Sequence, residues 1–217
     1  NTTGPGIRLV KPSNSNDLQV LFADSANQLS TFTATGAFDG GGGSTATQYI
    51  PQWHHYGFVL KRGPGDTSVS VRFYKDGQLF ASGGFTGLTA GGNYATTYDH
   101  AVGNFRGSTG VIGASFGNTL SGSVDDVFLI TINTGSTDTQ FNNFFSAIYN
   151  SGSWTNPTLT TSSLSSSLTP QVQFAWRFEE TGSLLNTRDY GTFGNIHSAS
   201  AVVSASAGLA PLLTTTA

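Results

Sequence analysis

The segment Gln52–Phe80, QWHHYGFVLKRGPGDTSVSVRFYKDGQLF, decides the fold of this chain. Its central part alternates apolar with polar residues and places Val69, Val71 and Phe73 on one face, as in a half-buried β-strand. Asp76-Gly77 follows, a dipeptide that favours a tight type I′ hairpin turn because both of its residues take φ > 0. The segment therefore predicts an antiparallel meander with strands at Phe58–Lys61, Ser68–Lys75 and Gln78–Ala81.

The rest of the chain also indicates an all-β protein. Among 217 residues it has 28 glycines, which suit many turns, and 16 phenylalanines, which suit pleated surfaces. Short strand patterns recur at GIRLV, LQVLFA, LSTFTATGAF, GVIGASF and SVDDVFLITI. We expect five apolar side chains from these strands and the meander to share one core: Val69, Val71, Phe73, Phe128 and Ile130.

One helix is predicted, in the segment TDTQFNNFFSAIYNSG at residues 137–152. Its apolar residues recur at steps of three, four, seven and eight, which gives one apolar stripe. Thr137 and Gln140 have the spacing of a capping box, and Gly152 lies where a helix would end.

Near the C-terminal end, QVQFAWRFEE returns to strand alternation. Val172, Phe174, Trp176 and Phe178 would form an apolar face too large to leave in water. We expect residues 172–178 to be a closing strand of a single domain that spans residues 1–217. The tail from Ser198 has few turn signals and is expected to be weakly ordered.

Charge, hydropathy and cysteine content exclude several classes of protein. Nine basic and twelve acidic residues give a net charge of −3, without the basic cluster that nucleic acid requires. No run of eighteen apolar residues occurs, so no membrane insertion is expected. The absence of cysteine excludes disulfides and thiolate metal sites.

Three motifs resemble the laminin-G-like and concanavalin A-like lectin and glucanase family. They are WHHYGFVL…VRFYKDGQLF, the Gly-x-hydrophobic-Asp-Asp-Val strand with its following helix, and FAWRFEETGSLLNTRDYGTFGN. The resemblance implies a two-sheet antiparallel jelly-roll sandwich in which Trp53 and one histidine pack at the entrance of a core strand. The third motif opens the domain in that family and comes last here. The helix-then-Trp order is also similar to lectin-like modules of phage and other virion structural proteins.

Catalysis and a histidine metal site are not expected. Adjacent strand residues point to opposite faces, so His54 and His55 are predicted to be structural rather than joint ligands of one ion. Glu179 and Glu180 are neighbours, as are Asp125 and Asp126, whereas a retaining glycosidase needs two carboxyl groups facing each other about 5–5.5 Å apart. No Gly-x-Ser-x-Gly motif is present.

The long polar loop GGNYATTYDHAVGNF is the predicted ligand-binding site, because aromatic and polar side chains on one loop suit sugar recognition. The alternative is that its tyrosines only cover a sheet edge. No cofactor is expected, although calcium could be held by loop oxygens of Asp39, Asp99, Asn104 and Asp125. The predicted binding residues are Tyr94, Tyr98, Asp99, His100 and Asn104.

These observations predict a non-catalytic, lectin-like surface module that binds carbohydrate or mediates adhesion within a larger surface or virion protein. The alternative is a structural or decoration component of a virion or extracellular assembly, with no small ligand. The expected partners are glycans or neighbouring protein subunits, and the expected location is extracellular or on a virion surface.

Overall fold

The structure is a computed structural model and describes twelve stretches of the chain. They are residues 6–12, 15–23, 29–38, 53–63, 65–89, 101–102, 127–132, 135–151, 171–176, 186–187, 198–202 and 212–216.

The described residues form twelve strands and one helix. In chain order they are β1 (Gly6–Val10), β2 (Leu18–Ala23), β3 (Leu29–Ala34), β4 (Tyr56–Lys61), β5 (Val69–Lys75), β6 (Gln78–Phe85), β7 (Ala101–Val102), β8 (Val127–Thr131), α1 (Asp138–Ser151), β9 (Gln171–Trp176), β10 (Asn186–Thr187), β11 (Ser198–Val202) and β12 (Leu212–Thr216).

The chain divides into two compact units, one with β1 to β6 and α1 and the other with β7 to β12. The first unit contains an antiparallel N-terminal sheet, β1-β2-β3, and an antiparallel middle sheet, β4-β5-β6. The middle sheet is the predicted meander. Asp76 and Gly77, at its hairpin turn, have φ values of 50° and 75°, which confirms the prediction of two positive φ angles.

The core of this unit joins the inner faces of the two sheets. Val69, Val71 and Phe73 of β5 are buried in one cluster with Val20 and Phe22 of β2, as the alternation of β5 predicts. Removing each such side chain from water stabilises the fold by about 1.5–3 kcal/mol. Phe128 and Ile130, the other two predicted core residues, lie partly buried on β8 in the second unit.

Helix α1 begins with the predicted capping box. The Thr137 backbone N–H donates to Gln140 Oε1 at 2.8 Å, and the Gln140 backbone N–H donates to Thr137 Oγ1 at 3.3 Å. Four members of the predicted apolar stripe are buried, while the fifth, Tyr149, is 47% exposed. The buried four are Phe141, Phe144, Phe145 and Ile148.

This helix packs on the middle sheet, against the face opposite the N-terminal sheet. The Tyr74 ring stacks on the Phe145 ring with centroids 4.1 Å apart, and the Tyr74 hydroxyl donates to Asn142 Oδ1 at 2.9 Å. Gly57 allows this close approach, since a Cβ there would overlap the Phe145 ring. The first unit thus has three layers: N-terminal sheet, middle sheet and helix.

The second unit contains the antiparallel pair β8-β9 and a four-stranded sheet in the order β10-β11-β12-β7. Residues 171–176 pair antiparallel with β8, so the predicted strand near the C-terminal end is present. Its predicted role in closing a single domain, and the weak order predicted for the tail, stay predictions.

The described part of the chain is therefore mostly β, and its two antiparallel three-stranded sheets and one helix are compatible with an all-β sandwich. This coarse prediction from the sequence is confirmed.

Candidate functional site

Of the loop predicted to bind ligand, only Ala101–Val102 is described, and it forms strand β7. The other loop residues lie outside the described stretches, as do Asp39 and Asp125 of the calcium alternative and the carboxylates Asp126, Glu179 and Glu180. The loop residues concerned are Tyr94, Tyr98, Asp99, His100 and Asn104. Their predicted roles stay predictions, so we sought a candidate site among the described side chains.

Asp76 connects the hairpin turn to the residues that precede β4. Its Oδ2 lies 2.8 Å from His54 Nδ1, and its Oδ1 accepts a hydrogen bond from the His55 backbone N–H at 3.0 Å. The Asp76 backbone N–H in turn donates to the His55 carbonyl at 2.8 Å. One side chain therefore fixes the backbone directly after Trp53.

The two histidines contact different layers, as strand alternation predicts. The His55 ring lies 6.1 Å from the Phe145 ring of α1. The His54 ring lies 6.0 Å from the ring of Tyr56, which packs against the core between the sheets. Within the described part of the chain, no three histidine, cysteine or acidic side chains converge as a metal site would require. The described contacts of the two histidines are thus with aromatic rings and with Asp76, and their predicted structural role stays a prediction.

Burial under the helix lowers the pKa of His55 from its ordinary value of 6.5, and the nearby Asp76 carboxylate offsets part of this effect. The folded state therefore disfavours protonated His55. The unfolded chain binds the proton more readily, so stability is lost as the pH falls below 6.5 towards the lowered folded-state pKa.

We expect His55 to make the free energy of unfolding decrease between pH 7 and pH 5. This contribution is at most about 1.4 kcal/mol per pH unit, because one proton is involved. Urea unfolding of the parent and of His55→Gln at several pH values isolates it, with His54→Gln as the matched control. If the difference in the free energy of unfolding between the parent and His55→Gln does not change with pH, the expectation is wrong.

Trp53 is the most exposed of the large apolar side chains in the described residues, with 71% of its surface accessible. The packing implied for Trp53 by the family resemblance is therefore wrong. Two residues, His54 and His55, separate it from the start of β4, and no described layer of the first unit covers it. His54 and Asp76 fix the backbone beside an indole ring that stays in water.

Other exposed rings lie at the same end of the middle sheet. Phe80, 42% exposed, follows the hairpin turn, and Tyr149 of α1, 47% exposed, lies over Gly77. We call Trp53, Asp76, Gly77, Phe80 and Tyr149 the hairpin end. Phe80 contacts Phe73 on the core side of the sheet, and Tyr149 lies on the helix side. The hairpin end thus presents separate exposed rings beside a fixed backbone, and an apolar ligand face can stack on such a ring.

Sequence reasoning identified Asp76 as a turn residue and missed the bonds of its carboxylate. The signal was present in the strand register. Tyr56 pairs with Lys75, so the next residues outward, His55 and Asp76, must face each other. The exposure of Trp53 had no comparable signal, because it depends on which distant segments cover the ring.

No helix in the described part of the chain is long and apolar enough to cross a membrane. Comparison with protein-family models, curated proteins and solved structures found no match to this chain. The resemblance to laminin-G-like and concanavalin A-like proteins thus rests on the three sequence motifs alone.

Proposed function

We propose that this protein is a non-catalytic, lectin-like surface module that binds carbohydrate or mediates adhesion. The observation that carries this proposal is the exposed Trp53 ring on a backbone fixed by Asp76. An indole ring has a large apolar face, and sugar rings present apolar C–H faces that stack on it. Trp is accordingly enriched where one side of a contact is apolar and the other is wet.

Preorganisation adds to this argument. Ordering a flexible side chain or loop on binding costs about 0.5–1.5 kcal/mol for each rotamer-rich side chain. The 2.8 Å and 3.0 Å contacts of Asp76 restrain the residues next to Trp53 before any ligand arrives. Tyr94 and Tyr98 of the predicted binding loop would supply further aromatic faces.

We also propose that the full architecture is a jelly roll and that the module acts outside cells or on a virion surface. Two antiparallel sheets around one apolar core support the first point at the level of a sandwich. The low charged fraction of 10% and the absence of cysteine suit an exposed surface, because neither thiol oxidation nor strong charge repulsion arises.

A second candidate function, as a structural or decoration component, has support from β1. This strand lies at an edge of the N-terminal sheet. Its Ile7 and Leu9 pair with the core residues Phe22 and Val20 and so point to the inner face, yet they are 40% and 41% exposed. An open sheet edge with apolar side chains is a place where a neighbouring subunit can pack.

We expect Trp53→Ala to weaken glycan binding about tenfold, equivalent to about 1.4 kcal/mol, while the melting temperature stays unchanged. A broad glycan array on the parent identifies the ligand, and titration then compares the variants. Leu79→Ala is the matched control, since Leu79 is also apolar and 40% exposed near the turn but lacks a ring.

The double variant Tyr94→Ala/Tyr98→Ala tests the predicted loop in the same titration and should also bind less glycan. If the parent binds no glycan, or if Trp53→Ala and the double variant both bind as the parent does, carbohydrate binding is excluded. Self-association that Ile7→Ser abolishes would then establish the assembly function.

A further inference from the structure

A groove of about 450 Å³ lies on the helix-facing side of the middle sheet, beside the first turn of α1. It is far from the hairpin end, because it involves the opposite ends of β4 and β5. Its side chains come from three strands and the helix, and those that matter here are Lys61, Ser70, Arg72, Ser82, Asp138 and Phe141.

The groove exists because the helix covers only part of the sheet. Phe145 fills the space above Gly57, where the helix approaches most closely. Towards Lys61, this face of the sheet carries the short side chains of Ser70 and Ser82. These residues leave an uncovered surface with hydroxyl groups, bordered by the Phe141 ring.

The charges of the groove are unequal. Arg72 forms an ion pair with Asp138, whose side chain is 64% exposed. Lys61 is also exposed, and its Nζ donates to the Ser136 carbonyl at 3.5 Å. No carboxylate pairs with Lys61 in the described stretches. The groove thus has two cations and one carboxylate, although the whole chain has a net charge of −3.

This combination suits a ligand that carries one negative charge and several hydroxyl groups. Lys61 supplies the unpaired positive charge. Arg72 is already paired with Asp138 and offsets the repulsion between that carboxylate and an anionic ligand. Ser70 and Ser82 can exchange hydrogen bonds with ligand hydroxyls. Val59, which is half-buried, offers an apolar contact to the carbon atoms of a ring.

We propose that this groove binds the carboxylate-bearing ring of a hexuronate, with Lys61 as its principal charged contact. The proposal rests on the proposed carbohydrate-binding function and names a class of sugar for it. The groove is a second contact area, distinct from the hairpin end, and it gives the module a preference for acidic over neutral glycans.

The test compares a galacturonic acid trisaccharide with the corresponding neutral galactose trisaccharide by calorimetric titration. We expect the parent to bind the acidic probe more tightly, and the preference to decrease as salt is raised. Lys61→Gln should lower the affinity for the acidic probe up to about fivefold, since the contact is solvent-exposed, and leave that for the neutral probe unchanged.

Lys11→Gln is the matched control, because it removes the same charge at a position beside Phe38, outside both the groove and the hairpin end. Equal effects of the two lysine variants, or equal affinity of the parent for both probes, would overturn the hexuronate site. Inorganic sulfate that competes as well as galacturonic acid would overturn the assignment to a sugar carboxylate.

The outcomes separate this proposal from the proposed function. Binding of the neutral probe that depends on Trp53, without any preference for the acidic probe, rejects the groove and leaves the proposed function in place. Failure of the parent to bind either trisaccharide or any glycan of the array rejects both.

Discussion

Replacement of Phe73 by alanine is expected to lower the free energy of unfolding by about 3–5 kcal/mol. The Phe73 side chain is fully buried in the core between the two sheets, with the rings of Tyr56 and Phe80 6.2 Å and 6.4 Å away. The substitution removes apolar burial and leaves a cavity that the surrounding strands cannot fill completely. Urea denaturation followed by intrinsic fluorescence measures the change.

Phe80→Ala is the control for this measurement. It removes the same side chain from the same sheet, but Phe80 is 42% exposed, so less burial is lost and solvent can enter the space. We expect its effect to be well below that of Phe73→Ala. Similar losses for the two variants would contradict the placement of Phe73 in the core.

Gly77→Ala is expected to have the second large effect, through two separate causes. Gly77 has a φ of +75°, where an alanine costs about 1–2 kcal/mol. A Cβ there would also lie 2.8 Å from Tyr149 Cβ and 3.1 Å from Ser146 Cα, which would push the helix away at a further cost of about 1–3 kcal/mol. Thermal and urea unfolding give the total.

Gly36→Ala separates these two causes. Gly36 has a φ of +70°, close to that of Gly77, but a Cβ there would meet no atom within 4 Å. We expect only the backbone cost at Gly36, so the difference between the two variants measures the collision with α1. Equal losses would show that the helix does not pack over the hairpin turn.

The sequence predicted those parts of the fold that depend on local chemistry. Asp76-Gly77 specifies its own turn, the alternation of β5 specifies which side chains are buried, and Thr137 with Gln140 specifies the start of α1. Each of these features involves residues only a few positions apart, so the signal is contained in a short segment.

Features made by distant segments could not be predicted in the same way. Strand β12 pairs with β7, and its sequence LLTTT has no alternation or turn signal that would indicate this partner. The stacking of Tyr74 on Phe145 likewise joins residues of a strand and a helix far apart in the chain. Neither contact can be predicted from the local sequence.

The candidate site likewise has features that local sequence predicts and features that it does not. The opposite orientation of His54 and His55 was predicted from the alternation of adjacent residues. The bonds of Asp76 could have been deduced from the register of β4 and β5. The groove beside Lys61 could not, because it is the space that α1 leaves uncovered on the sheet. The presence of this groove depends on how α1 packs on the sheet.

The three-layer packing of the first unit fixes the register of β5, the central strand of the middle sheet. In β5, Val71 and Phe73 face one layer, while Arg72 and Tyr74 face the other. A slip of one residue would place the guanidinium in the apolar core and the Phe73 ring against the helix. The strand therefore cannot slide to accommodate an insertion or deletion in the turn before β5. The packing of both faces of β5 thus constrains the length of that turn.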